Sequence, residues 1–351
     1  SSGVHAASSI KKATCVLKPT NATTLDISGT LFIEEDEALG NVTIYGEIRG
    51  FPAGGVHGMH IHAKGDISDA KGMGTGSHFN PYGHTHDNDL SNEHRHVGDM
   101  GNVTVDSDGV IRVSITDGLL FTLSGNMSVI GRAIIVHEKR DIGAANADTG
   151  DAGLRYAQCV IGISNPGDST VSNHATADDS GAGFPYGTCA LVGESADTKD
   201  IVGLVSVQPA TTGNGVTVSA KVCGLSDGAH GFHIHTFGDM TGAINNVGSH
   251  YNPQGYEHGL PKEFDDAKKI GHVGDLGDLQ SKNGVAKMSA QLFTKPQLSG
   301  VQSVIGRAFV VHAGKDNGKV EQPSGASGTM LVRCVIGVTS DKVDVLTKLT
   351  C

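Results

Sequence analysis

Two histidines stand one residue apart in an apolar run, His60-Ile61-His62. On a strand, residues i and i+2 share a face, so this spacing presents two imidazoles side by side. Downstream come His78, His86, His96 and Asp99, and His137 closes another apolar run; the same set returns as His233, His235, His250, His258, His272, Asp275 and His312. Six histidines and one carboxylate exceed the needs of a single tetrahedral ion. Imidazole-rich donor sets suit copper or zinc, and three histidines with one carboxylate suit structural zinc. A lone pair of histidines on a strand is usually only a surface feature. Here twelve of the 18 histidines fall into two matching sets, which unselected surface residues would not do.

Elements that position these groups recur as well. Gly58-Met59-His60-Ile61-His62 returns as Gly231-Phe232-His233-Ile234-His235, Ser77-His78-Phe79-Asn80-Pro81 as Ser249-His250-Tyr251-Asn252-Pro253, and His96-Val97-Gly98-Asp99 as His272-Val273-Gly274-Asp275. Val129-Ile130-Gly131-Arg132-Ala133 and Cys159-Val160-Ile161-Gly162 also have partners, at Val304–Ala308 and Cys334–Gly337. Each copy is domain-sized, so the chain is a duplication and not a solenoid. The expected organisation is residues 1–170, a Ser/Asp/Gly/Pro-rich linker at 171–187, and residues 188–351. Short alternating stretches such as Asn41–Tyr45, Val110–Ile115 and Val216–Ala220 read as strands, punctuated by turn residues. Fifty glycines, no tryptophan and few amphipathic helical periods point to an all-β chain of sandwiches or barrels, with long functional loops between strands. The 351 residues carry 26 Lys+Arg against 37 Asp+Glu, a net charge of −11, which argues against nonspecific binding to nucleic acid or an anionic membrane surface. No apolar run reaches the roughly 20 residues that span a bilayer.

With these motifs in hand (HxH, HFNP or HYNP, HVGD, and VIGRA followed by IVH or VVH), the chain resembles the copper–zinc superoxide dismutase family, twice over. The resemblance implies two tandem eight-stranded Greek-key β-barrels, an immunoglobulin-like architecture with long metal-binding loops. It implies dismutation of superoxide anion to dioxygen and hydrogen peroxide, with copper and zinc as cofactors. Carried across, it makes His60, His62, His78 and His137 copper ligands, with His78 bridging to a zinc held also by His86, His96 and Asp99. The second copy would use His233, His235, His250 and His312 for copper, and His250, His258, His272 and Asp275 for zinc. Asp141 and Asp316 match an aspartate that links a ligand histidine of each metal, and His57 and His230 match a structural histidine. Arg155 matches the family's anion-guiding arginine and, with the proton-carrying His78, would be catalytic; the second copy has Met330 there, which implies a slow or inactive site.

Several features depart from the family. Its usual staple between metal loop and last strand is missing, because Gln158 and Arg333 stand where the last-strand cysteine would be, which implies looser loops. Instead Cys15 and Cys189 lie in first strands and Cys159 and Cys334 in last strands. These are neighbours in the implied barrel, so the expected bridges are Cys15–Cys159 and Cys189–Cys334; Cys223 and Cys351 are either joined or available between chains. The first metal loop carries extra histidines, His84 and His94, beside Asp87, Asp89 and Glu93, readable as a weaker metal patch or as a solvated loop. Matched cysteines and sequons at Asn21, Asn41, Asn102 and Asn126 favour an oxidising, extracellular compartment and glycosylation. The first reading is a secreted dismutase active chiefly in domain 1. The alternative is a non-enzymatic extracellular metal-binding or self-assembling protein built from duplicated dismutase-like domains. The barrels could pair within the chain as a pseudo-dimer or each meet another chain in a homo-oligomer.

Overall fold

Strand-forming sequence dominates the chain, and turns fall where glycine, asparagine and aspartate cluster. A computed structural model describes residues 10–145, 148–166, 185–211 and 213–351. The first barrel contains β1 (Ile10–Pro19), β2 (Ser28–Asp36), β3 (Asn41–Arg49), β4 (Val56–His62), β5 (Asp99–Thr104), β6 (Val110–Ile115), β7 (Ala133–His137), β8 (Arg155–Val160) and β9 (Gly162–Ile163). The second contains β10 (Tyr186–Val192), β11 (Val202–Pro209), β12 (Val216–Cys223), β13 (Gly228–His235), β14 (Asp275–Lys282), β15 (Val285–Phe293), β16 (Ala308–His312), β17 (Met330–Val335) and β18 (Gly337–Thr339), followed by the one-turn helix α1 (Val345–Lys348). The expected linker lies almost wholly outside the described residues, and β10 starts just before residue 188.

In the first barrel the order is β5-β4-β7-β8-β1-β2-β3-β6, with β9 on β1; in the second it is β17-β16-β13-β14-β15-β12-β11-β10-β18. Strands β8 and β9 are one run interrupted at Ile161, as β17 and β18 are at Ile336, so each copy is the expected eight-stranded Greek-key barrel. Alternation sets the inward face: along β12 the residues Val216, Val218, Ala220 and Val222 are buried between half-exposed neighbours. Strand β7, by contrast, is buried at every position, and on its counterpart β16 the loop residue Val247 packs against Ala308 and Val310. The core of the first barrel includes Leu31, Ile33, Ile44, Met59, Ile61 and Ile134.

All six cysteines are paired. Cys15–Cys159 and Cys189–Cys334 tie first strand to last, and Cys223–Cys351 ties β12 to the chain end beyond α1. That last bridge resolves the alternative the sequence left open.

The barrels meet each other through a near-twofold set of backbone bonds. Gly65 N donates to Val338 O and Gly238 N to Ile163 O, at 2.8 and 2.9 Å; Val338 N donates to Gly131 O and Ile163 N to Gly306 O, both at 2.8 Å. Glycine is required at this seam because the backbones touch. A Cβ on Gly162 would come within 2.1 Å of Gly238 O, and one on Gly337 within 2.3 Å of Gly65 O. These backbone bonds join the two barrels within the chain.

Candidate metal centres

Strand β4 supplies His60 and His62, the end of β7 supplies His137, and the 63–98 loop folds back so that His78 bridges to His62. These four residues are buried with donor atoms within 4.8 Å of one another, and so are His78, His86, His96 and Asp99. The second barrel repeats both groups, with His233, His235, His250 and His312, then His250, His258, His272 and Asp275. The residues singled out in the sequence lie in these groups, and in each barrel one histidine, His78 or His250, is common to both groups.

Hydrogen bonds at the outward nitrogens set which atoms face inward. His60 Nε2 bonds to Asp141 Oδ2 at 2.8 Å, His62 Nδ1 donates to Gly76 O at 2.8 Å, and His137 Nδ1 donates to Gly153 O at 3.2 Å. The opposite nitrogens then converge, with His62 Nε2 and His137 Nε2 only 3.3 Å apart. Buried nitrogens without a hydrogen-bond partner include His60 Nδ1, His233 Nδ1 and His250 Nε2, whereas His86 Nδ1 and His258 Nδ1 lie against the Asp99 and Asp275 carboxylates at 2.9 and 3.0 Å. A buried polar atom left without a partner is costly. Here such atoms cluster at the convergence points, as ligands for borderline metal ions should. The donor chemistry fits copper at the four-histidine group and zinc at the group with the carboxylate.

Asp99 Oδ1 lies 2.9 Å from His78 Nδ1, and Asp275 Oδ1 lies 2.9 Å from His250 Nδ1. Burial pushes both carboxyls up, but the surrounding imidazoles outweigh it and hold them well below the usual carboxylate range. Burial lowers His78 to about 3, with the His60 charge adding to the effect, and lowers His233 similarly to about 3. His86 goes the other way. Burial opposes its charge, yet the bonds to Asp141 and Asp99 raise it to about 9.

Asp141 links the two groups, since Oδ1 also bonds to His86 Nε2 at 2.9 Å; Asp316 does the same for His233 and His258 at 2.9 and 2.8 Å. The loop crosses this bridge at Gly150, in the left-handed region at φ +65°, where a Cβ would overlap Asp141 Oδ1; Gly325 stands likewise over Asp316 at φ +69°. His57 Nδ1 donates to His137 O at 2.9 Å and His230 Nδ1 to His312 O at 2.8 Å, a structural role outside the donor groups.

A cavity of about 280 Å³ opens onto His62, His78 and His137, and Lys71, Thr149 and Arg155 also line it. Arg155 Nη1 donates to Gly72 O at 2.5 Å and Thr75 Oγ1 at 3.1 Å, and its Nη2 donates to Gly76 O at 2.6 Å, the carbonyl that orients His62. Strand register makes Met330 its counterpart, since His137 pairs with Arg155 and His312 with Met330. Met330 packs against Val247, Ala308 and Val310, and residues 236–249 contain neither Lys nor Arg to match Lys71.

The expectation of looser loops is corrected in the second barrel. Arg333, 1% exposed, donates Nη1 to Asp239 O and Ala243 O and Nη2 to Met240 O, each at 3.0 Å, and pairs with Glu194 at 3.2 Å. A guanidinium fork thus holds the loop where a covalent staple was expected. In the first barrel Gln158 Oε1 is buried without a partner, and Arg155 holds the loop instead.

Four further residues escaped sequence reasoning. Asn102 brackets the backbone of Asp141, accepting from its N at 2.8 Å and donating to its O at 2.9 Å, so this sequon's amide is already engaged. Lys71 had no motif around it. Arg132 lies 3.7 Å over the Phe79 ring and Arg307 3.6 Å over Tyr251, joining the VIGRA and HFNP or HYNP segments; the recurrence of both segments was the available signal.

Comparison with known proteins gives a consistent result. The family profile described as copper/zinc superoxide dismutase matches residues 27–161 and 201–336. Superoxide dismutase [Cu-Zn] A of Xenopus laevis is 44% identical over 131 residues, 37% of this chain and 78% of that protein. Superoxide dismutase [Cu-Zn] of Podospora anserina is 42% identical over 143 residues, covering 39% of this chain and 91% of its own. Extracellular superoxide dismutase [Cu-Zn] of Onchocerca volvulus is 37% identical over 149 residues, 40% of this chain and 71% of its own. Among solved structures, the clock protein EA4 is 35% identical with a TM-score of 0.39, covering 46% of this chain and 99% of that one. Two profile matches, falling on two barrels with matching donor groups, place the chain in the copper/zinc superoxide dismutase family as a tandem duplication with copper and zinc as its metals.

Proposed function

We propose that the chain is a secreted copper–zinc superoxide dismutase, turning two superoxide anions and two protons into dioxygen and hydrogen peroxide, chiefly at the first barrel. In this reading copper is held by His60, His62, His78 and His137 and zinc by His78, His86, His96 and Asp99. The second barrel uses His233, His235, His250 and His312, then His250, His258, His272 and Asp275. Bound copper supplies one-electron redox chemistry and bound zinc holds the loop. The chain's own residues do the rest. Lys71 and Arg155 put positive charge in the mouth of the cavity, which draws a small anion into a net-negative protein. Met73, Ala152 and Leu154 form apolar parts of its wall. His78 lines this cavity beside His62 and His137, placed to hand a proton to the reduced oxygen species.

The observation that carries the assignment is the contrast between the cation-lined cavity and Met330, with no basic residue in 236–249. Three disulfides, exposed Asn21, Asn41 and Asn126, and similarity to a protein named as extracellular support secretion. The pairing face of each barrel is taken by the other, which supports a chain that works without a partner copy.

Pulse radiolysis of His137→Ala and His312→Ala tests the reading. The first variant should lose most of the turnover and the second little. Equal losses would overturn the assignment to the first barrel, and a copper-loaded parent without turnover would favour a metal-binding scaffold.

A further inference from the structure

The first metal loop carries two histidines that the buried centres leave unused. His84 and His94 each stand two residues before a residue of the carboxylate-bearing donor group, His86 and His96. The inner rings, His86 and His96, lie 5.5 Å apart between centroids and are tilted by 51°. The outer rings, His84 and His94, also lie 5.5 Å apart and are tilted by 43°. On its solvent side the loop thus repeats the spacing of two imidazoles that share one ion.

Both outer histidines sit on backbone that is held in place. Asn80 brackets His84, accepting from its N at 3.0 Å and donating to its O at 2.8 Å, and Asn92 Oδ1 accepts from His94 N at 2.9 Å. Between the two segments the fully buried Arg95 donates to Asn92 O at 2.8 Å and Leu90 O at 3.2 Å. His84 Nδ1 donates to Arg95 O at 3.2 Å. That bond assigns the tautomer and leaves Nε2 with its lone pair outward, the arrangement by which a carbonyl orients a ligating imidazole. His94 is exposed and His84 half-buried, so an ion can reach them from solvent.

The second barrel provides an internal contrast. Asn252 brackets Tyr256 as Asn80 brackets His84, with both bonds at 2.9 Å, and Ile270 stands two residues before His272. The same scaffold there carries no imidazole pair.

We propose that His84 and His94 form an additional, solvent-facing site for one borderline divalent ion, Zn(II) or Cu(II), with water completing its coordination. Two protein ligands make this site weaker and more readily exchanged than the buried four-donor groups.

Calorimetric titration of Zn(II) into the full chain, with its buried sites already loaded with copper and zinc, is the test. One further ion should bind per chain. Both His94→Ala and His84→Tyr, the latter copying the second barrel, should abolish that binding while copper content and circular dichroism match the parent. Tyr256→Phe should leave it unchanged. A loaded parent that takes up no further ion overturns the proposal, as does a further ion that still binds in both histidine variants.

Discussion

Replacing Asp141 by asparagine should loosen metals on both sides of the first barrel. One carboxylate oxygen holds His60 and the other His86, at 2.8 and 2.9 Å, so a single residue orients an imidazole of each donor group. Asp141 is fully buried; burial raises its pKa, but the bonds from His60 and His86 prevail and keep it ionised. Both bonds are therefore charge-assisted. Asparagine is nearly isosteric but has one accepting oxygen, so its amide N–H would face a ring N–H at the other histidine. Outer partners of ligating histidines change metal affinity about 10–100-fold. Asp141→Asn should weaken binding in the first barrel by that factor, and Asp316→Asn should do so in the second. Competition with a chromophoric chelator measures it, with copper and zinc followed separately. Unchanged affinity for both metals in a correctly folded Asp141→Asn chain would refute the reasoning that these bonds orient the ligands.

Three other outcomes follow from the geometry. Gly150→Ala places a Cβ on Asp141 Oδ1 at a left-handed φ and should destabilise by more than about 1 kcal/mol, read by chemical denaturation together with lowered zinc content. Arg333→Ala strips donors from three loop carbonyls, of which the buried Asp239 O is worth about 1–3 kcal/mol when left unpaired, and should expose the 239–244 segment to limited proteolysis while the first barrel's loop stays resistant. The metal-free chain should be most stable near neutral pH. His78 and His233 (about 3) and His312 (about 4) have folded pKa values below the unfolded value near 6.5, so their contribution is present above that pH and lost as pH falls towards 3. His86 and His258, raised to about 9, contribute below pH 6.5 and lose that contribution as pH rises through 9. Thermal melts of the chelator-treated chain would contradict this if they stayed flat from pH 4 to 9.

The buried donor groups were readable from sequence because metal-binding chemistry admits few residue types at fixed places, and the duplication displayed the set twice. The barrels were readable because alternation and glycine-rich turns repeat along each copy. The first-to-last-strand bridges followed once neighbouring strands were implied by the resemblance. What escaped depends on three-dimensional proximity with no periodic trace. Arg333 looked like a substitution that removes a staple, yet its fork reaches a run of carbonyls in a loop about 90 residues earlier in the chain. Asn102 scored as a sequon, while its amide closes on the backbone of Asp141. The pairing of the two barrels rests on Gly65, Gly131, Gly238 and Gly306, whose role is backbone approach and leaves no side-chain pattern to read.

The most direct test measures metal content and superoxide dismutation together on the parent chain, Arg155→Ala and Met330→Arg. The account predicts copper in both barrels and fast turnover that falls with added salt. It predicts a loss of about tenfold or more in Arg155→Ala, within the range that local steering fields supply, and a gain in Met330→Arg. Full copper with negligible turnover, or an Arg155→Ala chain whose rate and salt dependence match the parent, would contradict it.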